Sequence, residues 1–208
     1  MTGTQIQAQF NNYTDNANEL SDADVLILMN KIYHQILDDR PWEILKKEYS
    51  GTTSTSLDYV ALPADFKMLV PNEVNYTEPI TVVYIGTDKD EFRVIPFSQR
   101  RKYRDIDNFC YVDHRQDRLV FTKQPTQARS IEYDYIYIPD DITASTSPVF
   151  RDTFHQAIVH GMALDHDIIE ANEKALNYQQ ENNREYNKIL SRMAIEDVSI
   201  KNPNNSYA

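Results

Sequence analysis

The chain has 208 residues, 41% hydrophobic and 25% charged, and carries a net charge of −11 at neutral pH. That size and balance suit one globular domain, or one core with a sizeable insertion, and exclude a disordered chain. So acidic a surface repels nucleic acid and argues against a dedicated DNA binder, though it suits a wall past which DNA slides, and a local basic cluster can still touch phosphate.

Residues 1–18 are polar without a lasting period and read as a flexible arm or a frayed first helix. Ser21 then has the position of an N-cap, with Asp22 and Asp24 in the first turn. Val25, Met29, Ile32 and Ile36 recur at steps of three and four, so an amphipathic helix is expected there. Pro41 ends it, and Trp42, the one tryptophan, sits at its exit as a core plug.

From Glu43 to Pro139 the period changes to that of strands. Residues 47–63, KEYSGTTSTSLDYVALP, predict a strand, a polar turn and a return strand. The return ends on Leu62-Pro63-Ala64-Asp65-Phe66. Pro63 has no N–H for a ladder, Asp65 can cap the following turn, and Phe66 and Leu69 can fold back onto the core. Segments 80–86 and 91–97 predict a hairpin, residues 97–103 a short helix, and segments 108–114 and 117–123 a second tight hairpin. Residues 131–139 form the clearest strand, with Tyr133, Tyr135 and Tyr137 on one face and Ile136 and Ile138 on the other.

Helical signals return at Ser147, a candidate N-cap, with Pro148 at the first helical position. Phe150, Phe154, Ala157, Gly161, Leu164 and Ile168 make one stripe, in which Gly161 implies close approach of a neighbouring backbone. After a break near Glu170–Asn172, Ala175, Tyr178, Tyr186, Ile189 and Met193 mark a last helix with a very polar middle. The expected fold class is therefore α+β: an antiparallel helical bundle from the N- and C-terminal helices, with a β-rich, sandwich-like insertion between them. The expected division is an arm at 1–18, a helical core at 19–47 and 147–198, a β-rich insertion at 48–146 and a tail at 199–208.

Chemistry is poorly served by this chain. Cys110 is the single cysteine, which excludes an internal disulfide and a multi-cysteine zinc site and suits a reducing cytosol. No apolar run approaches a membrane span, and the first residues show no secretion signal. The four glycines lie too far apart for a phosphate-cradling loop. His155, His160 and His166 lie near Asp165, Asp167 and Glu170, but His155 and His160 fall roughly 140° apart around a helix and only His166 and Glu170 face each other. No metal, cofactor or catalytic residue is expected, and no enzyme. The densest basic run, Arg100, Arg101, Lys102 and Arg104, reads either as a solvated loop or as a contact with an acidic neighbouring subunit or with DNA phosphate in a channel. Fourteen tyrosines supply half-polar area of the kind that interfaces use.

Three phrases in order carry a resemblance. They are NKIYHQILDDRPWEILKKEYS, a helix closing on Trp42; the phrase Tyr59-x-x-Leu62-Pro63-x-Asp65-Phe66; and a C-terminal helical pair ending Tyr186-x-x-x-Leu190. From about residue 20 to 195 the chain resembles the head-to-tail connector (adaptor) proteins of tailed bacteriophages, rings that dock under the portal. The resemblance implies a structural protein of the virion at the head–tail junction, assembled in the host cytoplasm. It implies a ring, a dodecamer by analogy, with a channel for double-stranded DNA, a portal protein above and tail or nozzle proteins below, and no membrane. C-terminal segments of that family often reach the portal, which makes Lys201, Asn202, Pro203, Asn204, Asn205, Ser206 and Tyr207 the candidate portal contact. Another virion ring, such as a tail-completion or tail-tube protein, is the alternative, and a hydrolase without a recognisable motif is a third.

Overall fold

The computed structural model describes the chain except for residues 15–19, 41, 71–72, 75–78, 171–174 and 202–208, so Pro41, Asn172 and most of the C-terminal segment lie outside the described residues. The chain divides into two compact units, Met1–Ile44 with Pro139–Ala208, and Leu45–Ile138.

The first unit holds four helices: α1 (Gly3–Thr14), α2 (Asp22–Asp38), α3 (Gln156–Glu170) and α4 (Ala175–Lys201). Ser21 caps α2 by accepting from the Asp24 amide at 3.3 Å, and Val25, Met29, Ile32, Tyr33, Ile36 and Leu37 are buried along one side. Residues expected as an arm or a frayed helix contain α1, whose Ile6 and Phe10 are fully buried four residues apart. The start of α3 differs from the expected Ser147–Pro148. A 3-10 turn at Asp152–Phe154 comes first and the α-helix begins at Gln156. Tertiary partners hold the intervening chain off the helical path. The carbonyls of Ala144 and Thr146 accept from the amides of Thr4 and Gly3, and the Val149 amide donates to the Tyr33 hydroxyl.

α3 packs against α1, α2 and α4. Ala157, Ile158, Val159, Gly161, Met162 and Ala163 are all buried, with the Gln156, His160 and Leu164 stripe half-buried, so α3 is the central helix of the unit. A Cβ on Gly161 would stand 2.5 Å from Ile32 Cγ2 on α2 and 3.2 Å from Tyr186 Cε2 on α4, so the missing side chain admits two neighbours at once. The approach is of side chains rather than of a backbone.

The second unit contains β1 (Lys46–Thr52), β2 (Tyr59–Ala61), β3 (Phe66–Leu69), β4 (Glu73–Val74), β5 (Pro79–Ile80), β6 (Val82–Ile85), β7 (Asp90–Val94), β8 (Phe109–Asp113), β9 (Arg118–Phe121) and β10 (Ser130–Tyr137). Eight of them form one sheet in the order β1-β10-β6-β7-β8-β9-β2, with β3 also on β10, while β4 and β5 pair separately. β6 and β7 form the expected hairpin, as do β8 and β9. β7 and β8 run parallel, joined by the segment that carries the basic run. The polar hairpin expected over residues 47–63 does not form, because β1 pairs with β10 and β2 with β9.

The expected architecture is therefore corrected on both counts. There are four helices, with α1, α2 and α4 packed on α3, not an antiparallel bundle flanking a β insertion, and eight of the strands make one large, nearly closed, barrel-like sheet, not a sandwich. The physical reason lies in β10. Its residues Ser130–Ile136 pair with β1 along seven positions, while β6 and β3 also pair with it, so the strand path that leaves through β6 and ends at β2 is led back to β10 by the next strand in the chain, β3. Val60, Leu62, Leu69, Val83, Ile85, Cys110, Leu119, Phe121, Ile131, Tyr133 and Tyr135 then form one enclosed core.

Two outcomes follow for the helical unit. Gly161→Ala should destabilise it by about 1–3 kcal/mol despite the better helix propensity of alanine, because a β-branched side chain stands in the way; urea unfolding measures this. His155 is buried, donates Nε2–H to the Phe150 carbonyl at 2.8 Å and accepts the Met1 ammonium at Nδ1 at 2.7 Å. Burial lowers its pKa, so the folded chain favours neutral imidazole. Stability from this group is present above the ordinary value of about 6.5 and is lost as pH falls from there toward the lower folded value. His155→Gln, which keeps a donor for the Phe150 carbonyl, should melt lower at neutral pH and lose less on acidification. Thermal melts at stepped pH check both.

Candidate functional site

The Leu62–Phe66 phrase is the corner that carries the chain from β2 to β3. The Leu62 amide donates to the Asp117 carbonyl at 2.9 Å, keeping β2 on the β9 side, and the Phe66 amide closes a turn on the Pro63 carbonyl at 3.0 Å. Pro63 takes no part in the ladder pairs, which is where a residue without an N–H belongs. Phe66 stacks on Tyr135 of β10 with centroids 5.8 Å apart, and Leu69 is buried.

Asp65 does something other than the turn-capping expected of it. Its carboxylate accepts from Lys47 Nζ of β1 at 2.6 Å and from the Tyr135 hydroxyl at 3.0 Å, while its carbonyl accepts the Ile138 amide at 2.7 Å. Lys47 also lies 3.9 Å over the Tyr137 ring. One side chain thus ties the corner to β1 and β10. Its hydrogen bond with Lys47 holds the Asp65 carboxyl below the usual range, burial opposing, and raises the Lys47 ammonium in turn. Nothing local in the sequence marks Lys47 or Tyr135 as partners; only the fold brings them within reach.

Trp42 is buried as a plug and donates Nε1–H to the Ile36 carbonyl at 2.9 Å, satisfying an acceptor in the last turn of α2. Arg40 covers its ring at 4.8 Å.

The basic run lies on the β7–β8 connection, after a 3-10 turn at Phe97–Gln99 that stands where a short helix was expected. Arg100 is half-buried, donates Nη1–H to the Phe97 carbonyl at 2.9 Å and stacks over the Phe97 ring. Arg101, Lys102 and Arg104 are exposed, with Arg104 Nε 3.7 Å from the Asp105 carboxylate. Arg100, Arg101 and Arg104 border a cleft of about 370 Å³ with Asp58, Asp105, Tyr111 and Thr122. Burial, with the Asp58 carboxylate second, raises the Tyr111 pKa, and Arg100 opposes the shift. Sequence reading found the arginines but not Asp58, Tyr111 or Thr122, which reach the cleft from other strands and turns.

Lys201 is the last residue of α4, and Asn202 to Tyr207 lie outside the described residues. Among the described residues no group of three or more His, Cys, Asp and Glu is placed to hold a metal, and no helix is long and apolar enough to cross a membrane. Cys110 is buried, which pushes its thiol far above the reactive range.

A family model described as SU10 adaptor protein matches residues 1–206. No curated protein matches the chain.

Replacing Asp65 by Asn should cost about 1 kcal/mol at neutral pH, a charge-assisted bond discounted for its partial exposure. Because the folded carboxyl titrates below its ordinary value, this contribution is present above about pH 3.8 and disappears as pH falls through the folded value. Urea midpoints of the two chains should therefore differ at neutral pH and converge in strong acid.

Proposed function

The chain belongs to the SU10 adaptor protein family, a structural family of phage adaptors, and from that membership we propose that it forms a non-enzymatic ring at the head–tail junction of the virion. The ring is a dodecamer by analogy. It docks on the portal protein, receives tail or nozzle proteins on its other side and leaves a channel for double-stranded DNA. Assembly takes place in the host cytoplasm. The match along residues 1–206 is the observation that carries this reading.

The chemistry of the chain supports it. A net charge of −11 lets DNA pass without adhering. A ring needs heterologous interfaces that close on themselves, and these favour a protomer whose surface is unlike on its two sides. α4 has an extensively polar surface, with Glu181, Asn183, Arg184, Asn187, Lys188, Ser191 and Arg192 exposed, which suits contact with a polar partner. The portal contact is assigned to residues 201–207, whose asparagine-rich, nearly uncharged sequence suits strand addition or wedging between partner subunits.

Mixing the purified chain with portal rings and imaging by electron microscopy tests the reading. Ring complexes on the portal are expected. Removal of residues 201–208 should leave the melting temperature unchanged and weaken docking. Association with a tail component but never with a portal would make the chain a tail-completion or tail-tube ring instead, and unchanged docking after truncation would retire the portal role of the C-terminal segment.

A further inference from the structure

We propose that the arginine-bordered cleft of the β unit is a socket for the acidic surface of a second copy of this chain. The inference deepens the ring reading and rests on it, since it assigns one side of the subunit–subunit contact.

Charge is distributed unevenly along the chain. Residues 93–129 carry nine Lys and Arg against four Asp and Glu, a local +5 within a chain of −11, so the remaining residues amount to −16. Two copies meeting through like surfaces repel, whereas the basic part of one meeting the acidic remainder of another attract. That pairing is heterologous by construction, and a ring requires it.

The cleft is built before any partner arrives. Asp105 takes a left-handed backbone conformation, φ 63°, and its amide donates to the Thr122 carbonyl at 2.9 Å. The Thr122 hydroxyl in turn lies 2.6 Å from the Ile106 carbonyl and 2.9 Å from the Phe109 carbonyl. The Lys102 amide donates to the Gln99 carbonyl, and the Tyr103 and Phe109 rings lie 4.5 Å apart. The loop is therefore pinned from both ends, and little ordering cost remains for binding. Its guanidinium groups are unequally committed. Arg100 is engaged with Phe97, Arg104 has only the long contact to Asp105, and Arg101 makes no ion pair among the described residues.

Two observations favour a protein partner over a nucleic-acid one. Asp58 and Asp105 stand in the wall of the cleft, where a uniform polyanion meets repulsion but a surface of both signs finds donors as well as acceptors. Leu57 and Ile106, the chain neighbours of those aspartates, are large apolar side chains left exposed, and apolar area beside arginine is characteristic of protein interfaces.

The test uses the full-length chain and the double variant Arg101→Glu with Arg104→Glu, both at exposed positions that leave the core untouched. Sedimentation velocity and mass photometry at low and high salt are the readouts. The wild-type chain should self-associate, less so at high salt, and the variant should associate at least about tenfold more weakly. Because only one of two unlike surfaces is altered, the variant should still join wild-type chains and terminate them. Arg101→Lys with Arg104→Lys should restore association in part. Equal association of wild type and variant overturns the socket while leaving the ring reading intact. A variant that associates normally but loses binding to a fluorescent DNA duplex overturns it in favour of phosphate contact. A wild-type chain that stays monomeric at low salt overturns the socket too, and recruitment to the portal then decides the ring reading separately.

Discussion

The β unit depends on what happens along β10. A single eight-residue strand accepts β1 on one side and both β6 and β3 on the other, so the path that leaves it through β6 must find its way back through β3. The return requires the chain to step from the β9 ladder to the β10 ladder within four residues. A regular strand cannot do this, because its amides would stay in register with the first partner. Pro63 ends the first register, the turn onto Phe66 begins the second, and Asp65 anchors the junction to β1 and β10 together. The shift in register between Ile136 and Tyr137 falls where the returning strand pairs, as a closing sheet demands of its seam.

The helical unit follows a different rule, steric rather than directional. α3 is lined by residues small enough for three other helices to touch it, and Gly161 sits where Ile32 and Tyr186 both press in. Polar groups inside this unit fix pairing rather than add bulk stability. Asn182 is wholly buried on α4, and its amide oxygen accepts the Tyr13 hydroxyl at 2.7 Å and lies 3.2 Å from His160 Nδ1. A shift of α4 by one residue would break both contacts of the buried Asn182 oxygen.

What the sequence disclosed was local. The Ser21 cap, the buried stripe of α2, the two hairpins and the tyrosine strand all depend on residues a few positions apart, and each is found near its expected place. What it concealed was pairing between distant segments. The polar turn after β1 suggested that β1 and β2 are partners, but strand alternation says nothing of whom a strand pairs with, and β1 pairs with β10 along seven residues, with Tyr49 stacked on Tyr133 and Lys46 paired with Asp134. The sequence left α1 open between an arm and a frayed helix, because Gly3, Ile6 and Phe10 are too few inward residues for a period to show. Likewise, the proline-marked start of α3 was a good cap signal overruled by tertiary hydrogen bonds from α1 and Tyr33. At the candidate site the basic run was legible as charge. Its role was not, because Asp58 comes from the chain before β2, and which faces of β8 and of the segment after β9 Tyr111 and Thr122 share with the arginines is set by pairing.

The two units differ in how the chain visits them. Leu45–Ile138 is one continuous stretch, whereas the helical unit joins residues from both ends of the chain. During synthesis, Lys46 waits for Ile136, ninety positions later, before its ladder closes, but nothing beyond that strand is needed. α1 and α2 emerge first yet find their main neighbour, α3, only after the whole barrel has left the ribosome. The nascent protein can therefore complete its β unit before its helical unit, while α1 and α2 travel with only each other for cover until the strands are made and α3 follows them.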